Sequence, residues 1–578
     1  MGPSAWGRPV LEPLEPLAPR APQGTRKTRP RVTQCTEPLS IVFCAAEVAP
    51  WSKTGGLGDV MGALPQALAA RGHRVTVVTA RHTNGGADVA RYDGAEGHAP
   101  APRAASALAP CNALTPSPAA AAQVVPGGPL HIELGGGRQA VELHRLEADG
   151  VEWLFVDHPV FQRPGTPYGD ANGPFEDNLF RFALLSLAAL EAPLRIAASG
   201  GRSLGDDVTF IANDWHAALL PVFLRSRYQE GGAYRGATCA LAIHNLAHQG
   251  VFPSHAFNGL SLPGGTYGLL EWRPPPGPGE DPNNHREATL NVLKGGVECA
   301  DSLITVSQNY ALEITSSPQP QGIHTLLAQR RALLRGIVNG IDTREWDPSS
   351  DPLIPANYSA QDLAGKAACK RALQRELRLE PDPRAPLVGF VGRLDHQKGP
   401  DLVLESLPAL AALGCQVVML GSGAPDYEAA LQEATKTYGF FFRAVVGFSV
   451  PLAHRLMAGC DILLMPSRFE PCGLNQLYAM RYGTVPVAHA TGGLADTIDD
   501  VSAFDGGEEG TGWTFSPATL DALAGAVAAA VRCYRSSPAA WGAVVRRGMA
   551  ADHSWEGAAE QYEKVLLGAK ERRLAAAV

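Results

Sequence analysis

The sequence lacks the features that would indicate a membrane or a nucleic acid as partner. No stretch approaches the roughly 18 unbroken apolar residues of a membrane-spanning helix. Residues 520–530 are mostly apolar but contain Asp521, and we expect a short buried helix there. Basic residues number 49 against 57 acidic ones, for a net charge of −8. A dedicated nucleic-acid-binding protein would show a basic surplus, so the sequence predicts neither partner.

Patterns that bind metals or common cofactors are also missing. The ten cysteines are scattered, with no CxxC or Cys/His pair at zinc-finger spacing, so we expect reduced thiols in a core and no metal. The glycine-rich segment 53–59 matches neither GxGxxG nor GxxxxGK(S/T). A dinucleotide fingerprint and a Walker loop are therefore not supported, and we predict no cofactor.

The composition is otherwise that of a globular protein. Hydrophobic residues make up 45% of the chain and charged residues 18%, which excludes general disorder. At about 150 residues per domain, 578 residues correspond to three or four domains, and two large α/β domains fit equally well.

The first 36 residues differ from the rest of the chain. They are rich in proline and arginine and contain no continuous apolar segment, which excludes a secretory signal. Their basic character is typical of an organelle transit peptide. Glu12, Glu15 and the scarcity of serine weaken this prediction, to which the alternative is a disordered tail without targeting function.

Two successive series of apolar runs and amphipathic segments predict an α/β protein. The first begins with a strand at 39–45, a helix at 61–71 and a strand at 74–79, and the second with a strand at 387–391. We predict two Rossmann-like, doubly wound domains that face each other across a deep cleft, with the site at the carboxyl ends of both sheets. The predicted parts are a domain over 37–333, a low-complexity surface insertion over 94–129, a strand at 297–306, a second domain over 334–545, and a helical tail over 546–578 that packs back toward the first domain.

The turn at 53–59 is the first candidate for ligand binding. Its glycines let backbone N–H groups approach an anion, the following helix directs its positive end there, and Lys53 adds a full charge. The alternative is a tight strand-to-helix turn that simply needs glycine.

A second candidate follows the strand at 387–391. Arg393 and Lys398 lie in the next loop, where two cations can hold a pyrophosphate and neutralise the charge that grows on a departing diphosphate. Such a pair would replace a divalent metal. A solvated charged loop is the alternative.

A third candidate follows the strand at 462–465. Glu470 precedes a helix, where a carboxylate can bind sugar hydroxyls while the helix N-terminus serves a phosphate. It is equally explained as an ordinary acidic residue at a helix start. Cys472 suggests a nucleophile, but no histidine lies close in sequence to activate it, so we prefer a packed thiol.

Two further polar clusters follow predicted strands. Asp214 belongs to the cluster at 213–216, and His244 begins the cluster at 244–250. A single histidine is more often structural than catalytic. Five such loops at strand ends together indicate the crevice of a doubly wound protein.

Taken together, these motifs resemble the bacterial glycogen synthases and the starch synthases of plants and algae. The resemblance rests on residues 53–57, 448–497 and 510–515, runs from about residue 39 to about 567, and is greatest for the soluble starch synthase I branch. It implies the GT-B fold and transfer of glucose from ADP-glucose, with retention, to the non-reducing 4-hydroxyl of an α-1,4-glucan.

The resemblance also implies how the donor phosphates are held. Lys53 would lie near the phosphates and the sugar, beside the amides of Gly55 and Gly56, while Arg393 and Lys398 would bind the diphosphate.

Other residues are assigned to the sugar and the base by the same resemblance. His244 would contact the donor glucose near its 6-hydroxyl, Asp214 would lie near the reacting centre, Phe448 would pack against adenine, and Tyr168 would lie in the region of acceptor contact. The glucose pocket would be formed by Asn339, Glu470, Cys472, Gly473 and Leu474.

The resemblance leaves alternatives open. It implies a plastid stromal enzyme with ADP-glucose and glucan substrates and association with starch granules or other starch enzymes. A GT-B transferase that uses UDP-glucose and a non-catalytic glucan-binding scaffold are the alternatives. The chain departs from the family pattern at residues 81–83, where His82 replaces the usual tyrosine.

Overall fold

The structure, a computed structural model, describes residues 38–83, 122–198, 204–274, 287–316, 322–503 and 509–577. We call the described residues up to 336 the front half and those from 337 to 554 the rear half. The predicted transit peptide at 1–36 and most of the predicted insertion at 94–129 lie outside the described residues.

The front half is built on a large sheet that is parallel over most of its width. The strands of the front half are β1 (Ser40–Ala45), β2 (Arg74–Ala80), β3 (Gln123–Val124), β4 (Leu130–Leu134), β5 (Gly137–Ala148), β6 (Val151–Asp157), β7 (Gly169–Asp170), β8 (Gly173–Pro174), β9 (Thr209–Asn213), β10 (Thr238–Ile243), β11 (Val251–Pro253), β12 (Glu271–Trp272), β13 (Thr289–Asn291), β14 (Ser302–Thr305) and β15 (Leu334–Gly336). The main sheet has the order β15-β14-β10-β9-β1-β2-β6-β5-β3, with β4 paired to β5.

Helices cover both faces of this sheet. They are α1 (Gly56–Ala70), α2 (Asn178–Ala198), α3 (Asp214–Ala217), α4 (Leu219–Phe223), α5 (Tyr267–Leu270), α6 (Val292–Cys299), α7 (Gln308–Ser316) and α8 (His324–Gln329). The strand predicted at 297–306 is wrong in its first part, because α6 runs to Cys299 and β14 begins at Ser302. A buried helix end and a buried strand both appear as apolar runs, which periodicity alone does not separate.

The rear half is a smaller, fully parallel doubly wound sheet. Its strands are β16 (Leu387–Val391), β17 (Gln416–Gly421), β18 (Phe442–Val446), β19 (Ile462–Met465), β20 (Val485–His489) and β21 (Trp513–Phe515), in the order β18-β17-β16-β19-β20-β21. Its helices are α9 (Ala364–Glu376), α10 (Pro400–Ala412), α11 (Pro425–Thr437), α12 (Val450–Gly459), α13 (Asn475–Arg481), α14 (Gly492–Thr497), α15 (Leu520–Ser536) and α16 (Pro538–Ala550).

Each sheet has a switch point where the chain reverses its direction of winding. In the front sheet β1 has β2 on one side and β9 on the other, and in the rear sheet β16 lies between β17 and β19. Loops that leave the carboxyl ends of such strands diverge and leave a crevice. The loops after β1, β9, β16 and β19 carry most of the residues singled out by sequence.

The last helix, α17 (Trp555–Ala577), returns to the front half. Tyr562 and Leu566 are buried in the same apolar cluster as Phe43 of β1. Arg71, after α1, bonds Glu556 and Glu563 of α17 at 2.7 Å each. A helix that follows the rear half therefore completes the front core.

The chain crosses between the halves twice, and the crossings run side by side. The Ile341 N–H donates to the His553 carbonyl at 2.8 Å, and a Cβ at Gly340 would lie 2.6 Å from the Trp555 nitrogen. Only glycine fits there. Within the described ranges, no helix combines the length and apolar character that crossing a bilayer takes.

Candidate active site

The glycine-rich turn before α1 is held by a carboxylate that sequence reasoning missed. Glu47, two residues after β1, accepts hydrogen bonds from the N–H groups of Thr54 (2.5 Å) and Gly55 (3.0 Å). Its other oxygen accepts the Tyr168 hydroxyl at 2.9 Å. The Gly55 amide, which the resemblance assigned to the donor, thus has a protein partner. A polar residue directly after a buried strand was the available signal for Glu47.

Lys53 projects from this turn toward the cleft. Its Nζ lies 2.5 Å from Asp59 of α1, and its side chain is 39% exposed. Burial by itself would lower the pKa of Lys53, but Asp59 and Glu345 of the rear half raise it above its ordinary value. Lys53 is therefore protonated at neutral pH.

The turn faces the rear half directly. A Cβ at Gly56 would lie 3.8 Å from Leu474 Cδ1, in the loop after β19. Burial raises the pKa of Tyr310, and both Asp214 of the front half and Glu470 of the rear half raise it further. The strand-end loops of the two halves therefore meet around one cleft.

Asp214 and His244 follow neighbouring strands, β9 and β10. Asp214 Oδ1 accepts the backbone N–H groups of His244 (2.7 Å) and Asn245 (3.3 Å). Burial raises the pKa of Asp214 to about 6. His244 Nε2 lies 3.0 Å from Asn213 Oδ1, and burial lowers the pKa of His244 to about 4, which keeps the ring neutral. Asp214 also has a φ of 55°, a strained value for a residue other than glycine.

We expect Asp214→Asn to stabilise the protein more at pH 7.5 than at pH 4.5. The folded pKa of about 6 lies above the ordinary 3.8. Stability from the protonated carboxyl is therefore full below about pH 4 and lost as pH rises through 6, by about 3 kcal/mol. Asparagine retains the Oδ1 acceptor but does not ionise. The measurement is the thermal midpoint of both proteins at both pH values.

Asp426→Asn, at an exposed position, is the control: its thermal midpoint should differ little from that of the wild-type protein at either pH. An Asp214→Asn effect of equal size at both pH values would show that Asp214 does not titrate in this window.

The rear loops bring Lys398 and Glu470 into contact. Lys398 Nζ lies 2.5 Å from Glu470 Oε2, which also accepts the Ser467 hydroxyl at 3.0 Å. Glu470 is buried, and Lys398 is 21% exposed at its side chain. Arg393 is 58% exposed at its side chain and lies 3.2 Å from Asp395. Lys398 is therefore paired with the buried Glu470, while Arg393 of the same loop remains largely exposed.

The loop after Glu470 carries residues that the resemblance assigned to the glucose pocket. Burial raises the pKa of Cys472 to about 12, so its thiol is protonated, in agreement with the packed-thiol interpretation. Gly473 has a φ of 71°, where a Cβ would lie 2.5 Å from Gln476 Oε1. Asn339 is buried, and its Oδ1 has no hydrogen-bond partner among the described residues.

Two predicted residues lie apart from this cluster. Tyr168 packs against His216 with ring centroids 4.7 Å apart, and its hydroxyl is bound to Glu47. Phe448 follows β18 and is 70% exposed. Tyr168 thus supports the turn through Glu47, and Phe448 presents an exposed aromatic side chain after β18.

A cavity of about 520 Å³ opens in the front half, lined in part by His248, whose charge acts on Asp214. Sequence reasoning did not find it, because Phe175 and Trp272 come from separate loops with no local pattern. Several aromatic faces and a few polar groups together suit a sugar. Its lining includes Phe175, Asn178, Trp215, His248, Gln249, Phe252 and Trp272.

A group able to hold a cation lies elsewhere, on β5 and β6. It consists of Glu142, His144 and Asp157, with ligand atoms close together. Arg81 lies 2.8 Å from Asp157 and supplies a positive charge there. The group is therefore compensated by the protein itself.

Comparisons with known proteins agree with the motifs. The sequence profile of the starch synthase catalytic domain matches residues 40–329, and that of the group 1 glycosyl transferases matches residues 375–546. Soluble starch synthase 1, chloroplastic/amyloplastic, of Solanum tuberosum is 48% identical over 91% of this chain and 78% of its own length. Starch synthase 1, chloroplastic/amyloplastic, of Arabidopsis thaliana is 47% identical over 91% of this chain and 76% of its own length.

A solved structure extends the likeness to the fold. The catalytic domain of starch synthase IV from Arabidopsis thaliana, bound to ADP and acarbose, superposes with a TM-score of 0.76 at 28% identity. The superposition covers 93% of this chain and all of the starch synthase IV domain. The resemblance and the GT-B fold predicted from the sequence are confirmed.

Proposed function

The chain belongs to the starch synthase family, and we propose that it moves glucose from ADP-glucose to the non-reducing 4-hydroxyl of an α-1,4-glucan, with retention. It is a glucosyltransferase of starch elongation. The proposal of donor, acceptor position and stereochemistry rests on one observation, the convergence of Lys53, Asp214 and the Lys398–Glu470 pair on a single cleft.

Binding of the donor follows from the charges around the cleft. Arg393 and Lys398 would bind the diphosphate, with Lys53 approaching from the front half. Glu470 would accept hydroxyls of the donor glucose, and so would the unpartnered Asn339 Oδ1. Fixed cations supply the positive charge that a divalent metal provides elsewhere, and we propose that neither a metal nor a cofactor takes part.

Glucosyl transfer would then depend on positioning. The bond between the glucose C1 and the diphosphate oxygen breaks, and a bond from C1 to the acceptor 4-oxygen forms on the same face. The departing phosphate takes the acceptor proton, while Arg393 and Lys398 stabilise its charge. Contacts from both halves require a closed cleft, which also excludes water that would hydrolyse the donor.

The acceptor would occupy the aromatic cavity beside Asp214. Trp215 follows Asp214 directly, and His248 lies four residues after His244, so the cavity adjoins the reacting centre. Aromatic faces stack on the apolar faces of glucose rings, while Asn178 and Gln249 offer hydrogen bonds.

We expect Trp272→Ala to raise KM for a short maltooligosaccharide by about tenfold, because a stacking face worth about 1 kcal/mol or more is removed. KM for ADP-glucose should change little. Initial rates with each substrate varied in turn provide the measurement, and Phe440→Ala, 75% exposed on the rear half, is the control. Loss of donor affinity with unchanged acceptor KM would exclude the cavity as the acceptor site.

The proposed reaction is tested by incubating the protein and maltooligosaccharide with labelled ADP-glucose or UDP-glucose in excess chelator. Extension from ADP-glucose is expected, with UDP-glucose far slower. Faster transfer from UDP-glucose would favour the UDP-glucose alternative. Absence of incorporation from either donor would favour the scaffold, and a requirement for added divalent metal would contradict the proposed role of the cations.

The cellular setting is proposed from the relatives. The potato protein is named chloroplastic/amyloplastic, and we place this chain in the plastid, in the stroma, with residues 1–36 as transit peptide. Association with starch granules or other starch enzymes belongs to the same proposal.

We divide the chain into domains at 37–333 and 334–545, with 546–578 as a tail.

A further inference from the structure

Two short helices on opposite sides of the cleft exchange hydrogen bonds through their side chains. Glu313 of α7, in the front half, accepts the N–H of Gly492 (2.8 Å) and the hydroxyl of Thr491 (3.0 Å) at the start of α14. In return Asp496 of α14 accepts the N–H of Asn309 (2.8 Å) at the start of α7. Each carboxylate thus caps the amino end of the other half's helix.

These caps are formed only when the halves meet. All three bonds join a front residue to a rear residue. The Asn309 side-chain amide also donates to Glu313 Oε1, at 2.9 Å, and fixes that oxygen toward Gly492. A carboxylate at a helix N-terminus benefits from the unpaired N–H groups and the positive end of the dipole. Asp496 is exposed and Glu313 half-buried, so water competes for these bonds.

The rear end of this contact is joined to Glu470 through the backbone. The Gly493 N–H donates to the Glu470 carbonyl at 3.0 Å. A Cβ at Gly492 would lie 2.0 Å from that same carbonyl oxygen, and Gly492 has a φ of 44°. The turn that Glu313 holds is thus packed directly on the main chain of Glu470 and moves with it.

We propose that Glu313 and Asp496 form a latch that holds the cleft closed and sets the Glu470 loop for transfer. They are positioning residues, since they act through Gly492 and Glu470 and touch no substrate. This inference deepens the proposed function and rests on it. When the latch is released, the donor remains bound to the rear half, but water reaches it.

The latch is tested in the full chain with Glu313→Ala, Asp496→Ala, the double variant and the conservative Glu313→Gln. Three quantities are measured: kcat for transfer, the ratio of released glucose to transferred glucose, and the radius of gyration by small-angle X-ray scattering with ADP. Glu230→Gln, an exposed carboxylate on the front half, is the control.

Each single alanine variant is expected to lower kcat five- to twentyfold, raise the hydrolysis ratio severalfold, and enlarge the ADP-bound radius of gyration. KM for ADP-glucose should change less than kcat. Because both carboxylates serve one contact, the double variant should lose much less than the product of the single effects. Glu313→Gln, which retains the acceptor oxygen, should recover most of the lost rate.

Unchanged kcat and hydrolysis ratio in both alanine variants would overturn the latch. The latch would also be overturned if the rate fell together with the thermal midpoint while the hydrolysis ratio stayed at the wild-type value. That pattern would indicate only less folded protein. Failure of the proposed reaction itself is distinguishable, since wild-type protein would then transfer no glucose while scattering still reports closure.

Discussion

Replacing Glu470 by glutamine is expected to lower turnover by about 100-fold or more while the protein stays folded. In the structure the Glu470 carboxylate holds Lys398 at 2.5 Å and Ser467 at 3.0 Å. An amide of the same shape removes the charge that orients Lys398 and one of the two anionic oxygens for donor hydroxyls. Loss of one preorganised polar group at a reacting centre typically lowers kcat by a factor of 10² to 10³.

The measurement is kcat at saturating ADP-glucose, with the thermal midpoint recorded beside it. Glu433→Gln, in an exposed ion pair with Lys436 on α11, is the matched control and should retain full rate. A Glu470→Gln enzyme with a nearly normal rate would remove Glu470 from the site.

The second large effect is expected from Lys398→Ala, which should weaken ADP binding about 10- to 100-fold. A hydrogen bond to a charged group contributes about 1.5–3 kcal/mol, which corresponds to that range of Kd. The loss should be smaller for AMP, because AMP lacks the second phosphate of ADP. The variant should therefore discriminate less between ADP and AMP than the wild-type protein.

Titration calorimetry with both nucleotides measures this difference. Lys436→Ala, whose lysine is 74% exposed, is the control. Because Lys398 also neutralises the buried Glu470, Lys398→Gln is a second variant that leaves a polar partner for Glu470. Wild-type ADP affinity in both Lys398 variants would contradict the diphosphate role.

Much of the rear half could be predicted from the sequence. The strands 387–391 and 462–465 were predicted with the observed bounds. These parallel strands are buried on both faces, so short apolar runs between turn residues identify them. The prediction of a strand at 297–306 was wrong in its first part for the same reason, since a buried helix end has the same composition as a buried strand.

The site was predictable where it depends on strand ends and hidden where it depends on tertiary contacts. Lys53, Arg393 and Glu470 each follow a buried strand, and local sequence marks them. Glu47 meets Tyr168, 121 residues later, and Glu313 meets Gly492, 179 residues later. No spacing in one sequence indicates such partners, because the fold alone brings them together.

The return of α17 to the front half affects how the protein is made. The ribosome produces the front half well before the 23 residues of α17. Until those residues emerge, the apolar cluster around Phe43 lacks Tyr562 and Leu566. A nascent chain thus carries an unfinished first domain throughout translation, open to chaperones. A truncation that removes α17 would accordingly destabilise the front half, although that half is encoded far upstream.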